Sequence, residues 1–191
     1  MSQEKEQVNI SMIREDLEGL PQYELPAGYS LRRWRAGDNQ TWTDIESAAD
    51  KHHQISLEMY ATEFGPDEAA LKLRQYFLCD AAENAIGTAT AWYDKDYYGK
   101  PYGRVHWVAI VPHMQGKGLA KPLVSAVCNR LIRLGHERAV LGTQTYRIPA
   151  ICLYMKFGFG PDVRSECDLR AWQGVRENLP ADRRALLRLD D

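Results

Sequence analysis

The chain has 191 residues, 45% of them hydrophobic and 26% charged, with a formal net charge of -2. This length and composition are typical of a globular protein with one substantial core, and the lack of a basic excess argues against a nucleic-acid partner. The first residues are too polar for a signal peptide, and no apolar run approaches the roughly 18 residues of a membrane span, so we expect a cytoplasmic protein without membrane contact.

The N-terminal half predicts an irregular extension, a strand, a helix and then an antiparallel meander. Residues 1–27 are taken as an N-terminal extension in which Ile10–Ile13 could pair as a strand, and residues 28–191 as a single domain. A strand over Tyr29–Arg35 precedes a helix whose apolar face includes Trp42 and Ile45. The elements expected next are a loop with a short helix over Asp50–Pro66, a helix over Asp67–Gln75, and strands over Tyr76–Asp80, Ala85–Asp94 and Arg104–Val111, with a turn at Gly99–Gly103.

The stretch Val108–Ala120 predicts a strand, a turn and the start of a helix. An apolar run stops at Pro112 and continues through two spaced glycines into an amphipathic pattern. Gly116 and Gly118 have no Cβ, so the backbone there can adopt positive φ and approach a ligand, while the N–H groups of the helix start point into the turn. An anion such as a pyrophosphate suits this turn. The stripe that would anchor the helix is Leu119, Leu123, Val127, Leu131 and Leu134.

The C-terminal part predicts a return strand and a second short helix. Gly135 ends the first helix, and Glu137–Thr143 returns as a strand, so we expect a β-α-β unit with parallel strands. A helix begins at Pro149 and ends at Gly158, before a strand near Phe159. A helical segment over Asp168–Leu189, interrupted at Pro180, completes the chain.

Two stretches resemble one family. Gln115–Ala120 fits the pattern Q/R-x-x-G-x-G/A of the GNAT superfamily of N-acetyltransferases, and Ala150–Phe159 resembles its second block, A-x-x-L-Y-x-K-x-G-F. The resemblance covers roughly residues 29–162. It implies an α/β (α+β) fold, GNAT-like, with a mixed, centrally splayed β-sheet flanked by helices and acetyl-CoA in its cleft.

The resemblance also implies how acetyl-CoA is held. The pantetheine arm would lie along one strand, and the pyrophosphate would accept hydrogen bonds from the turn, with Lys117 or Lys121 adding positive charge. These side chains could equally be core residues on the strand and solvated lysines on the surface. The cofactor-binding residues expected on this basis are Val108, Ala109, Ile110, Gln115, Gly116, Lys117, Gly118, Leu119, Ala120 and Lys121.

Tyr154 is the expected general acid. When an amine attacks the thioester, CoA leaves as a thiolate, and a phenol with a pKa of about 10 can protonate it. The alternative is a core tyrosine on the helix face shared with Ile151 and Phe157.

The general base is less well specified. Members of the family often place a glutamate where this chain has Arg104, so we expect His106, on the same strand face, to act as the base. A structural histidine, a water chain, Glu58 or Glu63 are the alternatives. Arg147 stands where many members have asparagine, and it could bind an anionic acceptor group or a CoA phosphate.

The expected function is therefore transfer of an acetyl group from acetyl-CoA to an amine of a small molecule or peptide, and the alternative is a non-catalytic acyl-CoA-binding module. The acceptor walls are predicted at Asp50–Glu63 and Trp92–Tyr98, where carboxylates and aromatic rings would suit a cation. A homodimer paired through the N-terminal extension is a further hypothesis.

Metal and P-loop chemistry are not expected. The five histidines have no H-E-x-x-H or comparable spacing, and Gly118 is followed by Leu119 and Ala120 where a P-loop needs lysine and serine or threonine. The four cysteines form no C-x-x-C pair and are each expected to be small buried hydrophobes without disulfides.

Overall fold

The computed structural model describes residues 8–189. The contacts between residues divide this part of the chain into two compact units. We call Gln22–His136 the middle unit, and residues 8–21 with 137–189 the terminal unit. The elements in chain order are β1 (Asn9–Arg14), β2 (Ser30–Arg33), α1 (Asp38–Ala49), α2 (Leu57–Phe64), α3 (Glu68–Arg74), β3 (Gln75–Cys79), β4 (Ala85–Tyr97), β5 (Lys100–Ile110), α4 (Ala120–Arg133), β6 (Ala139–Gln144), α5 (Ile148–Lys156), β7 (Gly160–Pro161), α6 (Glu166–Asn178) and α7 (Ala181–Arg184).

The middle unit contains the predicted antiparallel meander, in the order β2, β3, β4, β5. The predicted turn at Gly99–Gly103 is wrong in extent, because β5 already begins at Lys100. Tyr98 and Gly99 make the turn alone, with φ of 50° and 81°, and Tyr97 pairs with Lys100. Two successive residues at positive φ are typical of the tight hairpin turns that match the twist of their strands, which explains why the turn is so short.

β5 contains a β-bulge at Trp107. Thr90 pairs with His106 and Thr88 pairs with Ala109, so a single β4 residue faces two β5 residues. Trp107 has a φ of 47°, an uncommon conformation for a bulky residue. A bulge of this kind bends its strand and redirects the side chains beside it.

The two faces of the β4–β5 hairpin are covered by different helices. α4 packs with the predicted stripe, since Leu119, Leu123, Val127 and Leu131 are each at most 1% exposed. A Cβ at Gly103 would lie 2.9 Å from the Leu131 side chain, so this part of β5 faces α4. Because side chains alternate along a strand, Arg104 and His106 lie on the opposite face. That face is the one against which α1 and α2 pack, as the aromatic contacts below establish.

An aromatic cluster fills the space beneath α1 and α2. Trp42 is fully buried and has the rings of Tyr60, Phe64 and Trp107 edge-on to it, at centroid distances of 5.2, 5.6 and 5.1 Å. Edge-to-face pairs of this kind stabilise by about 0.5–1.5 kcal/mol beyond their buried area. The cluster therefore holds α2 firmly against the bulged part of β5.

In the terminal unit, β1 lies between β6 and β7 and pairs antiparallel with both. The predicted strand at Ile10–Ile13 is thus present. At Met12 and Ile13 it pairs with β6 on one edge and with β7 on the other. The Arg14 guanidinium donates to the main-chain carbonyls of Asp16, Glu18 and Phe157. β1 is in this way joined to the end of α5.

The helical segment at the C-terminus begins at Glu166, two residues before the predicted Asp168, because the Ser165 hydroxyl accepts a hydrogen bond from the Asp168 N–H at 3.2 Å and caps α6. The interruption at Pro180 is confirmed, since it separates α6 from α7. Within residues 8–189 there is no helix with the length and apolar character that crossing a bilayer requires.

All four cysteines are free thiols. Cys79 and Cys128 are buried, as predicted, and Cys152 is half-buried. The prediction is wrong for Cys167, which is exposed because it lies in the first turn of α6 on its solvent side.

Candidate functional site

The glycine turn joins the end of β5 to the start of α4. A short 3-10 turn over Pro112–Met114 follows β5, and Gly116 and Gly118 then adopt φ of 77° and 78°. The Gln115 side-chain amide donates to the Ile110 carbonyl at 2.8 Å, which ties the turn back to the strand. Both glycines occupy the left-handed region, where their lack of a Cβ removes the strain.

The main-chain N–H groups of this turn can receive an anion. The Gln115 N–H donates to the Pro112 carbonyl at 3.2 Å, whereas those of residues 116–119 make no hydrogen bond to the rest of the described chain. No acidic residue lies in the first turn of α4. Pro122 also lies in that turn and has no N–H. This costs no hydrogen bond, because N–H groups in the first turn of a helix have no partner within the helix. The N–H groups from Gly116 onward and the helix dipole are therefore suited to a pyrophosphate.

The two lysines beside the turn differ. Lys117 is exposed, with its Nζ 3.2 Å from the Met114 sulfur, while the Lys121 ammonium lies 5.1 Å over the Tyr23 ring. Lys117 therefore contributes the more accessible charge.

The strand segment before the turn contributes its main chain to the site. Ala109 and Ile110 are only 7% and 8% exposed, and Val108 is half-buried in the bulge. Their side chains are core residues, so a ligand lying along this segment would contact the peptide groups.

Glu63 of α2 connects to two consecutive residues of the bulge. Its Oε2 lies 2.9 Å from the His106 Nε2 and accepts a hydrogen bond from the Trp107 indole N–H at 3.0 Å. The His106 side chain is 11% exposed and that of Glu63 is 33% exposed. Glu58, the other glutamate considered as a base, is exposed on the same helix.

The ionisation of this pair follows from its surroundings. The hydrogen bond from His106 lowers the pKa of Glu63 to about 2, and the Trp107 indole and the charge of Arg104 act in the same direction against burial. Burial lowers the pKa of His106 below 6.5, with Arg104 adding to the effect and Glu63 opposing it. At neutral pH the carboxylate is thus ionised and the imidazole neutral.

This ionisation selects the tautomer of His106. A neutral imidazole carries one N–H, and an ionised carboxylate accepts hydrogen bonds only, so the proton lies on Nε2. The unprotonated Nδ1 is then the basic atom. A histidine orientated by a carboxylate in this way can act as a general base.

The first predicted acceptor wall reaches this face of β5 through its last residue, Glu63, and the residue after it contacts the second wall. Phe64 of α2 packs edge-on against Trp92 of β4 at 5.6 Å and against the His106 ring at 5.6 Å. Trp92 in turn pairs with Arg104 in the strand register. Further along β4, Tyr93 and Lys95 line a shallow groove of about 420 Å³ with α3.

Tyr154 and Arg147 belong to the terminal unit. Tyr154 lies on α5, is 7% exposed, and has its ring edge-on to Phe159 at 6.3 Å. Arg147 immediately precedes α5, and its guanidinium stacks over the Tyr146 ring at 5.6 Å. The acid role of Tyr154 stays a prediction.

Metal ligation has no support in the described residues. Across residues 8–189, histidine, cysteine, aspartate and glutamate side chains form no group of three or more that could hold an ion. His52 and His53 are exposed, and the His53 Nδ1 lies 2.7 Å from Asp50.

A family model for the acetyltransferase (GNAT) family matches residues 31–159. Among curated proteins, the chain is similar to the mycothiol acetyltransferase of Pseudarthrobacter chlorophenolicus, with 30% identity over 151 residues, which cover 73% of this chain and 45% of that protein. The chain spans about half the length of the curated relatives it matches.

Solved structures share the fold. A GCN5-related N-acetyltransferase from Sphaerobacter thermophilus superposes with a TM-score of 0.68 at 18% identity, over 82% of this chain and 49% of that one. The ribosomal-protein-S18-alanine N-acetyltransferase from Escherichia coli has a TM-score of 0.58 at 18% identity, over 71% and 79% of the two chains. These likenesses confirm the predicted mixed α/β fold with an open sheet flanked by helices.

Proposed function

Because the chain belongs to the acetyltransferase (GNAT) family, we propose that it moves the acetyl group of acetyl-CoA to an amine of a small molecule or peptide. One observation carries this proposal: a single strand, β5, bears an imidazole hydrogen-bonded to a carboxylate and then leads into a glycine turn whose N–H groups at residues 116–119 make no hydrogen bond within the described chain. The relatives named mycothiol acetyltransferase support acetyl transfer as the reaction.

Binding of the donor is assigned to the turn and to the strand before it. The N–H groups of residues 116–119 and the start of α4 hold the pyrophosphate, and Lys117 adds charge. The peptide groups of Val108–Ile110 lie beside the pantetheine arm, as the family resemblance implies. The bound acetyl thioester supplies an electrophilic carbonyl carbon.

His106 and Tyr154 are assigned to the two proton transfers. As the acceptor nitrogen bonds to the acetyl carbon, His106 Nδ1 takes a proton from that nitrogen. The carbon–sulfur bond breaks, and the Tyr154 hydroxyl donates a proton to the departing thiolate. The products are an acetylated amine and CoA. Glu63 keeps the His106 ring in the tautomer that this step needs.

The first experiment has two parts. Acetyl-CoA should raise the melting temperature, since a ligand that binds only the folded state stabilises it. A panel of amines should then release free thiol from acetyl-CoA. No melting shift at saturating acetyl-CoA would contradict the proposal.

The role of Tyr154 is tested by Tyr154→Phe. Loss of a general acid should lower kcat by about 100-fold or more while acetyl-CoA still raises the melting temperature as in the wild type. The control is Tyr29→Phe, a change at a half-buried tyrosine before β2 that lies outside the proposed site and should leave kcat unchanged. Wild-type turnover in Tyr154→Phe would remove this residue as the acid.

A binding module without catalysis is the second candidate, favoured by Arg104 at the position where the family often has glutamate. Release of CoA with any acceptor would exclude it. Acetyl-CoA binding without thiol release across the whole panel would favour it over the enzyme.

A further inference from the structure

Arg104 is a half-buried cation on the face of β5 that carries the candidate base. It lies two residues before His106, so their Cα atoms are about 7 Å apart and their side chains leave the strand on the same side. In the part of the chain that the structure describes, the Arg104 guanidinium makes no hydrogen bond and no ion pair with a carboxylate. Its charge nevertheless acts on both Glu63 and His106.

Two carboxylates on elements beside Arg104 accept hydrogen bonds from other donors. Glu63 accepts from His106 and Trp107, which hold its carboxylate toward the bulge. Asp94, two residues beyond the β4 partner of Arg104, accepts a hydrogen bond from the Asp96 N–H at 3.2 Å. Neither carboxylate lies within 4 Å of the Arg104 guanidinium.

The surroundings of Arg104 strengthen its attraction for an anion. Trp92, its pairing partner on β4, packs against Phe64, so Arg104 leaves the strand next to a residue of the aromatic cluster and is itself half-buried. A charge in such a partly desolvated position interacts more strongly with an anion than it would in water. The planar guanidinium presents paired donors that match a carboxylate or a phosphate.

We propose that Arg104 binds an anionic group of the acceptor, so that the substrates of this site are amines carrying a carboxylate or phosphate a few bonds from the reacting nitrogen. This inference rests on the proposed function, in which His106 receives the proton of the same amine. Arg104 thereby selects the acceptor and places its nitrogen next to His106. The acceptor is held by its charge, in contrast to a cation held by the aromatic and acidic walls expected from the sequence.

The test compares matched pairs of amines that differ in one charge. β-Alanine and β-alaninamide form the carboxylate pair, and O-phosphoethanolamine and ethanolamine form the phosphate pair. Calorimetric titration into CoA-saturated protein should show that at least one anionic member binds about tenfold or more tightly than its neutral counterpart. The pair with the larger ratio of dissociation constants, neutral to anionic, shows whether carboxylate or phosphate is the recognised group.

Variants assign the preference to this residue. Arg104→Gln should abolish the difference between the members of each pair, and Arg104→Lys should keep part of it because it keeps the charge. Arg133→Gln, at an exposed arginine of α4, is the control and should bind like the wild type. Because the Arg104 guanidinium makes no hydrogen bond within residues 8–189, Arg104→Gln should have a melting temperature close to that of the wild type.

Equal binding of the charged and neutral members, binding of neither, or a preference that survives in Arg104→Gln would overturn the proposal. The experiment measures binding and does not need turnover, so the result for Arg104 is independent of whether acetyl transfer occurs. If the anionic amines bind through Arg104 but no amine releases CoA, the acetyl-transfer proposal fails and the assignment of Arg104 stands. If thiol release occurs with neutral amines alone, acetyl transfer stands and the anionic class is wrong.

Discussion

Two consecutive residues, His106 and Trp107, direct their ring N–H groups at one oxygen of Glu63. This is compatible with strand geometry only because the bulge at Trp107 breaks the alternation of side chains along β5. The shared carboxylate keeps the Trp107 ring next to Trp42 and the His106 ring in one tautomer. At the scale of single residues, Glu63 therefore fixes the orientation of the His106 ring, and in the proposed mechanism it acts through that ring.

Glu63→Gln tests this role through the pH dependence of kcat/KM. The negative charge of Glu63 opposes the lowering of the His106 pKa, so its removal should move the acid limb of the profile to lower pH. The plateau should fall about tenfold or more, because a glutamine no longer holds the ring by a charge-assisted bond. Glu177→Gln, a change at an exposed glutamate of α6, should keep the wild-type profile. Superimposable profiles for Glu63→Gln and the wild type would show that Glu63 has no such role.

At the scale of elements, two junctions depend on glycine at positive φ. Gly118 lies between β5 and α4 with a φ of 78°, and a Cβ there would meet no atom within 4 Å. Gly158 follows α5 with a φ of 77°, but a Cβ there would lie 2.7 Å from the Arg14 guanidinium. The first glycine therefore faces open space, whereas the second is enclosed by the protein itself.

Gly118→Ala should weaken acetyl-CoA binding by about tenfold or more if the turn binds the pyrophosphate as proposed, since the added Cβ would project into the space assigned to that group. The matched control is Gly135→Ala, at the end of α4, where φ is 84° and the space is also open. Both variants should lose similar stability from strained backbone, but only Gly118→Ala should lose affinity in a calorimetric titration. Equal affinity in the two variants would disprove the assignment of the turn.

Gly158→Ala should destabilise the protein by about 1–3 kcal/mol. An alanine is strained at this positive φ, and its Cβ would also meet the Arg14 guanidinium, which three main-chain carbonyls hold in place. Gly174→Ala, in the exposed interior of α6, should instead stabilise by about 0.5–1 kcal/mol through helix propensity. Urea unfolding measures both changes. If Gly158→Ala leaves the free energy of unfolding unchanged, the expected clash is absent and Arg14 moves aside at little cost.

At the scale of the whole molecule, folding lowers the proton affinity of several buried groups. Glu63 has its pKa lowered from 4.5 to about 2 mainly by the hydrogen bond from His106, and burial lowers the pKa of His106 and of His136 below 6.5. Each of these groups binds protons more weakly in the folded state than in the unfolded state. The unfolded state is therefore favoured as the pH falls.

The free energy of unfolding should accordingly decrease as the pH is lowered. The histidine contributions are complete above pH 6.5 and are lost as the pH falls through their folded pKa values, and the Glu63 contribution is lost from pH 4.5 downward. His136→Gln should make the fall in the free energy of unfolding less steep below about pH 6.5, compared with His113→Gln, a change at an exposed histidine. Urea unfolding at a series of pH values measures this slope, and a flat wild-type curve would contradict the expectation.

Most helices and strands were predictable because their signals are local. The stripe from Leu119 to Leu131, the proline at the start of α5 and the glycine after it each act within a few residues. The errors arose where local signals were ambiguous. Pro101 and Gly103 predict a longer turn, although the pair Tyr98–Gly99 closes the hairpin alone. The exposure of Cys167 follows from where α6 packs, which composition does not reveal.

The sequence by itself determined the order of elements, the glycine turn and the family, because these depend on spacing and periodicity along the chain. Only the tertiary structure decided that Glu63, and not Glu58, meets His106, that Trp107 forms a bulge, and that Arg104 has no carboxylate partner among residues 8–189. It also decided that Arg14 reaches Phe157, 143 residues away. These features depend on side chains that are distant along the chain and become neighbours only when the strands and helices pack, so no local pattern encodes them.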